Sequence, residues 1–140
     1  MELVKVGAVA LNQTPLDWLG NKDNILNAIE DAKNQEIQVL CLPELCISGY
    51  GCEDAFYSPD VAKISLEILE EIQDHTQDII VSVGLPLWIN NKIYNSAALI
   101  ANRQLLGFVC KQHLPNYGLF YEDRWFHRWK AGQSTEISIK

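Results

Sequence analysis

The chain has 140 residues, of which 48% are hydrophobic and 21% are charged, and its formal net charge at pH 7 is −7. This length and hydrophobic content predict one compact domain with a substantial core. The acidic balance argues against a nucleic-acid-binding surface, because such surfaces use lysine and arginine to neutralise phosphates. No apolar stretch reaches the roughly 18 residues of a membrane span, and no signal peptide precedes the first predicted strand. We therefore expect a cytoplasmic protein without a membrane partner.

Two strand-like segments with a helix between them begin the chain. Residues 4–11 and 37–42 are short apolar runs, which predicts two strands. Apolar residues recur between them at helical spacing, namely Ile25, Ala28, Ile29 and Ala32. A strand, a helix and a second strand in this order predict a right-handed parallel crossover.

A second helix is expected to start at Ser58, Pro59 and Asp60. These residues supply a hydroxyl N-cap, a proline at the first helical position and an acid near the positive end of the helix dipole. Apolar residues at helical spacing follow over residues 61–72, which predicts an amphipathic helix.

Residues 79–110 predict a β-meander. Asn90 and Asn91 tolerate positive φ and therefore suit a tight hairpin turn, and a second turn is expected at Asn102 and Arg103. The expected strands are residues 79–89, 92–100 and 105–110.

The four cysteines, Cys41, Cys46, Cys52 and Cys110, have neither metal-site spacing nor a secretory context, which predicts free thiols. Cys41 and Cys110 lie inside apolar runs, where cysteine behaves as a small buried hydrophobe. Cys46 lies two residues from Glu44, and it is an alternative, less favoured nucleophile.

Two ionisable residues follow predicted strands. Glu44 comes after the strand at residues 37–42, and Lys111 comes directly after the strand at residues 105–110. Open α/β sheets gather ligand sites at the carboxyl ends of their strands. We therefore expect Glu44 and Lys111 to share one enclosed cleft, with Glu122 nearby.

These segments resemble the nitrilase, or carbon-nitrogen hydrolase, superfamily. Residues 42–45 (Leu-Pro-Glu-Leu) resemble the motif that carries its catalytic glutamate, and residues 111–115 (Lys-Gln-His-Leu-Pro) resemble the segment that carries its lysine. Residues 47–54 and 113–126 look most like the amino-terminal glutaminase domains of glutamine-dependent NAD synthetases. The similarity covers nearly the whole chain.

The resemblance implies a fold and a role for each site residue. The fold would be α/β, the N-terminal part of a four-layer α-β-β-α sandwich. Glu44 would be the general base, Lys111 would stabilise the oxyanion of the tetrahedral intermediate, and Glu122 would orient Lys111 and the substrate. Tyr117 and Phe120 match positions that line the glutamine pocket.

The resemblance also implies partners and a missing part. Residues 1–140 would be the N-terminal portion of a glutaminase domain, ending before the cysteine nucleophile, so the fragment alone is expected to be inactive. The glutaminase step would need no cofactor or metal. ATP and Mg²⁺ would bind a C-terminal synthetase domain, which amidates deamido-NAD with the released ammonia. The full-length protein would form a homo-oligomer.

Two other functions are compatible with the sequence. The first is another amidase of the superfamily, acting on a simple amide or an N-carbamoyl compound. The second is a non-catalytic interaction module, because no cysteine nucleophile is identified.

Two features mark the C-terminal quarter. An aromatic group interleaved with basic residues is expected to serve packing or a subunit interface rather than nucleic-acid stacking. Its members are Tyr121, Trp125, Phe126 and Trp129. Ile137 and Ile139 begin an alternation typical of a strand.

Overall fold

The structure of the chain, a computed structural model, describes residues 3–139. Within them, five strands and two α-helices follow one another as β1 (Val6–Ala8), α1 (Trp18–Asn34), β2 (Val39–Cys41), α2 (Pro59–Gln73), β3 (Ile80–Ile89), β4 (Lys92–Ala101) and β5 (Gln104–Cys110). Short 3-10 helices occupy Glu53–Tyr57 and Glu122–Arg124. No helix in the described part of the chain has the length and apolar character needed to cross a bilayer.

The strands form one sheet in the order β1-β2-β3-β4-β5. The first three are parallel and the last three are antiparallel, which confirms both the predicted crossover and the predicted meander. Both hairpin turns have positive φ at their two central residues, 50° and 60° at Asn90 and Asn91 and 48° and 61° at Asn102 and Arg103. This is the backbone that matches the twist of paired strands.

Strands β1 and β2 are shorter than predicted, with three residues each. The pairing of β1 with β2 ends at Ala8, next to the hydrogen bond from Val9 N to Cys41 O at 3.2 Å. Val9 and Leu11 are apolar because they pack against the core beyond the end of the ladder.

Two local expectations differ from the structure. Ser58 is at the N-cap of α2, but its side chain makes no capping hydrogen bond; its backbone carbonyl instead accepts from Val61 N at 3.1 Å. Ile137 and Ile139 lie outside any strand, because the segment that contains them has no ladder partner among residues 3–139.

Both helices pack on one face of the sheet. Alternation along a strand directs every second side chain to that face, so it collects the largest apolar cluster. Its buried members include Ile25 and Ile29 of α1, Ile68 and Ile72 of α2, and Leu40, Val81, Val83 and Ile100 of the sheet.

Loops cover one end of the opposite face. Phe56 is fully buried there, with its ring centroid 4.9 Å from that of Phe126 and 6.0 Å from that of Trp125. On the helix-facing side, Trp129 packs edge-on against Tyr94 with centroids 5.3 Å apart. Trp125 and Phe126 are buried and Tyr121 is 46% exposed, so the structure shows packing for part of the aromatic group.

The other end of this face is uncovered in the described chain. Val6 and Val109 are 69% and 70% exposed, and Cys41 is exposed between them on β2. The prediction that Cys41 is buried was wrong, because Leu40 takes the helix-facing position and alternation turns the next residue to the opposite side. One helical layer and one sheet layer of the expected sandwich are therefore present.

Candidate active site

Lys111 lies between two carboxylates. Its Nζ is 2.6 Å from Oε1 of Glu44, and 3.1 and 3.0 Å from Oε1 and Oε2 of Glu122. The structure thus brings together the three charged residues singled out from the sequence. Because a carboxylate can accept a proton and an ammonium can stabilise an anion, this cluster has the parts needed for acid-base chemistry at a carbonyl.

The strand ends alone do not bring Glu44 and Lys111 together. Strands β2 and β5 point the same way, but β3 and β4 lie between them. Three strand spacings of about 4.8 Å separate their ends by about 14 Å. The turn after β2 closes this gap by crossing over the face of β3.

Gly84 on β3 makes the crossing possible. A Cβ added at Gly84 would lie 2.4 Å from Leu45 N and 2.5 Å from Pro43 O, so the turn sits directly on the strand. Ile47 N donates to Gly84 O at 3.2 Å and fastens it there. Glu44 therefore extends across β3 toward β4 and β5.

Asn95 of β4 meets Glu44 at the end of the crossing. Its Nδ2 donates to Glu44 Oε1, the oxygen that Lys111 also contacts. Its backbone carbonyl accepts from Lys111 N at 2.8 Å, which continues the β4–β5 pairing by one residue.

Glu122 is the buried member of the cluster, with a side chain only 2% exposed. A buried carboxylate needs a counter-charge and hydrogen bonds, and Lys111 and Tyr50 supply them. The Tyr50 hydroxyl donates to Glu122 Oε1 at 2.6 Å. Burial, followed by this hydrogen bond, raises the pKa of Tyr50, so Tyr50 remains a donor.

The ammonium of Lys111 is held in its charged form. Partial burial by itself would lower the pKa of Lys111, but the hydrogen bonds to Glu44 and Glu122 outweigh that effect and the pKa is raised. The cation therefore persists at neutral pH, where it can stabilise a developing oxyanion.

Hydrogen bonds and an ion pair between two loops hold the segment around Glu122. Arg124 donates to both oxygens of Asp54 at 2.8 Å, and Trp125 Nε1 donates to Asp54 Oδ1 at 3.0 Å. Tyr121 OH donates to Glu53 Oε2 at 3.0 Å. The bonds from Arg124 are the main reason that the pKa of Asp54 is lowered to about 2.

Tyr117 and Phe120 lie on the exposed loop between Lys111 and Glu122. Their rings pack edge to face with centroids 5.6 Å apart. Neither is among the described hydrogen-bond partners of the charged cluster, so their proposed pocket role remains a prediction.

Three cysteines are buried, namely Cys46, Cys52 and Cys110. Burial raises the pKa of Cys46 to about 12, and its thiol donates to Gly84 O at 3.6 Å. Burial also raises the pKa of Cys110 to about 11 and that of Cys52. Thiols held neutral in this way are poor nucleophiles, which argues against the alternative role of Cys46.

No group of three or more histidine, cysteine, aspartate or glutamate residues suited to a metal ion occurs within residues 3–139.

The ammonium of Lys111, held between two carboxylates at the edge of a mixed α/β sheet, can support hydrolysis at a carbonyl. The sequence matches the carbon-nitrogen hydrolase family over residues 5–138, and the chain belongs to this family.

Within the family, the chain is similar to glutamine-dependent NAD synthetases. It is 41% identical to the human NAD(+) synthetase over 135 residues, which is 95% of this chain and 19% of that protein. The crystal structure of the enzyme from Cytophaga hutchinsonii has 48% identity and a TM-score of 0.93, covering 96% of this chain and 23% of that one. The chain thus spans about a fifth of the length of the curated relatives it matches.

An amidase from Nesterenkonia shares the fold. Its identity is 23% and its TM-score is 0.75, over 91% of this chain and 48% of the amidase. This match extends the fold beyond the NAD synthetases.

Three positions of the site were missed from the sequence. Tyr50 lies inside the resembling segment of residues 47–54, but nothing there indicated a contact with Glu122. Asn95 had a readable signal, since an amide side chain in the middle of an apolar strand needs a partner. The sequence signal at Gly84 was weaker, because glycine in a strand often, but not always, marks a close approach of another backbone.

Proposed function

We propose that this chain is the N-terminal portion of the glutaminase domain of a glutamine-dependent NAD synthetase. That domain hydrolyses the side-chain amide of glutamine and supplies ammonia for the ATP-dependent amidation of deamido-NAD. The observation that carries the proposal is the ammonium of Lys111 held between Glu44 and Glu122 in a carbon-nitrogen hydrolase fold.

In the proposed reaction, Glu44 takes the proton of a cysteine thiol, and the thiolate attacks the amide carbon of glutamine. The carbonyl oxygen becomes an oxyanion, which the ammonium of Lys111 stabilises. The proton on Glu44 passes to the leaving nitrogen, the carbon–nitrogen bond breaks, and ammonia departs from a thioester. Glu44 then takes a proton from water, which attacks the thioester and releases glutamate and the thiol.

We assign the nucleophile to a cysteine outside these 140 residues. Buried thiols that stay neutral are poor nucleophiles, which argues against Cys46, Cys52 and Cys110. Cys41 is exposed, but it lies on β2, whereas Lys111 follows β5 on the far side of two intervening strands.

The rest of the reaction also belongs outside these residues. We assign ATP and Mg²⁺ to a C-terminal synthetase domain, and we expect the whole protein to act as a homo-oligomer in the cytoplasm. The small share of the curated relatives' length that the chain covers supports a longer protein.

The test compares two ammonia sources in the full-length protein. Glu44→Gln removes the base, so NAD formation from glutamine should fall by roughly a hundredfold or more. NAD formation from free ammonia should remain near the parent's rate. Equal loss of both would mean that Glu44 is structural, and a parent protein that amidates nothing with glutamine would refute the proposed function.

The isolated 140-residue chain provides a second test. It should release no ammonia from glutamine above the level of a Cys46→Ala control. Release that disappears in this control would place the nucleophile at Cys46.

A further inference from the structure

Asn95 is a buried polar residue for which the proposed reaction has no role. It is 3% exposed and lies on β4 opposite Pro86 of β3. Polar groups in such positions are nearly always hydrogen-bonded, and here the partners are informative. The side chain of Asn95 bonds to Glu44, and its backbone bonds to Lys111.

The two donors that reach Glu44 use the same oxygen. Asn95 Nδ2 and Lys111 Nζ both donate to Oε1, and no hydrogen bond from residues 3–139 reaches Oε2. The Glu44 side chain is 41% exposed, so it can be approached from outside the cluster.

We infer that Asn95 is a positioning residue that fixes the carboxylate of Glu44, with Oε1 bound and Oε2 left free to accept the proton. The inference rests on the proposed function, because it assumes that Glu44 is a base. An amide suits this position because it donates a hydrogen bond without adding charge. A carboxylate here would repel Glu44, and an apolar side chain would leave the glutamate held by Lys111 alone.

The matched control is Ser96, the next residue on β4. Ser96 is also buried, at 4% exposure, and its hydroxyl donates to Leu85 O at 2.9 Å. Alternation turns its side chain to the helix-facing side of the sheet, away from Glu44. Ser96→Ala therefore removes a buried hydrogen bond without touching the charged cluster.

The experiment uses the full-length protein with Asn95→Leu, Asn95→Asp and Ser96→Ala. For both Asn95 variants, we expect kcat with glutamine to fall about ten- to hundredfold, the range of a lost hydrogen bond to a charged group, with KM within about threefold of the parent's. The kcat of Asn95→Asp should fall further than that of Asn95→Leu, because a carboxylate at this position repels Glu44. Ser96→Ala should lower the thermal midpoint and leave kcat with glutamine unchanged.

A measurement that needs no turnover separates this inference from the proposed function. The residues around Glu44 in the charged cluster are Lys111, Glu122 and Tyr50, and all three are unchanged in these variants. Carbon-13 NMR of the Glu44 carboxyl at neutral pH, assigned with Glu44→Gln, should show a shifted or broadened resonance in Asn95→Leu and the parent's resonance in Ser96→Ala. An unchanged resonance in Asn95→Leu, or an equal change in Ser96→Ala, would overturn the inference. An inactive parent with the expected resonances would count against the proposed function alone.

Discussion

Gly84→Ala should damage the site by pushing the Glu44 turn off the sheet. The new methyl group would lie 2.4 Å from Leu45 N, 2.5 Å from Pro43 O and 2.9 Å from the carbonyl carbon of Glu44. Ordinary contact begins near 3.4 Å, so the backbone of the turn must retreat by about 1 Å. The obstacle is backbone on every side, so no side-chain rotation relieves it.

The retreat should affect chemistry more than stability. Glu44 Oε1 is 2.6 Å from Lys111 Nζ, and a shift of about 1 Å would break that hydrogen bond. A displacement of this size costs about a hundredfold in rate where geometry matters. Overpacking of this kind costs about 1–3 kcal/mol of the free energy of unfolding.

The assay measures glutamine-driven and ammonia-driven NAD formation and the thermal midpoint in the full-length protein. Gly7→Ala is the matched control, because its methyl group would meet the end of the Ile37 side chain at 2.7 Å, which can turn aside. We expect Gly84→Ala to lose the glutamine-driven rate and Gly7→Ala to keep it. If Gly84→Ala keeps both that rate and the thermal midpoint, the turn does not lie on β3 as described.

Three further predictions concern charge and access. Lys111→Met leaves two carboxylates facing each other, so glutamine-driven activity in the full-length protein should fall at least about a hundredfold; labelling of the catalytic cysteine by a glutamine-like alkylator at the parent's rate would contradict the role of this lysine. The lowered pKa of Asp54, about 2 against 3.8, means that its pairing with Arg124 stabilises the fold above about pH 4 and is lost as pH falls toward 2; thermal melts of Asp54→Asn should lack this contribution, and an unchanged acid dependence would refute it. A maleimide should label Cys41 of the 140-residue chain first, with mass spectrometry locating the adduct, and preferential labelling of another cysteine would contradict the described exposure.

The order of the elements could be predicted because each depends on local sequence. The parallel crossover follows from apolar periodicity, and the hairpin at Asn90 and Asn91 follows from residues that tolerate positive φ. The lengths of β1 and β2 could not be predicted in the same way. An apolar side chain such as Val9 can pack against the core whether or not its residue belongs to the paired strand.

The charged cluster was predicted for a reason that is only partly correct. The carboxyl ends of β2 and β5 do share one edge of the sheet, as the strand argument requires. Their separation across β3 and β4 is closed by the turn over Gly84, and that crossing depends on a contact between residues about forty positions apart. The expected enclosed setting of Glu44 also differs from the structure, because a turn that lies on top of the sheet leaves its tip partly exposed.

The unlike settings of the two carboxylates support the different roles that we propose for them. Glu122 is buried, receives Lys111 on both oxygens and Tyr50 on one, and has no free face toward a substrate proton. Glu44 is partly exposed and keeps one oxygen free of the described hydrogen bonds. Pairs of titratable groups in unlike environments commonly divide acid-base roles in this way. In the proposed reaction, this geometry suits Glu44 to move protons and Glu122 to hold Lys111 in place. The sequence motifs supported that division by resemblance alone.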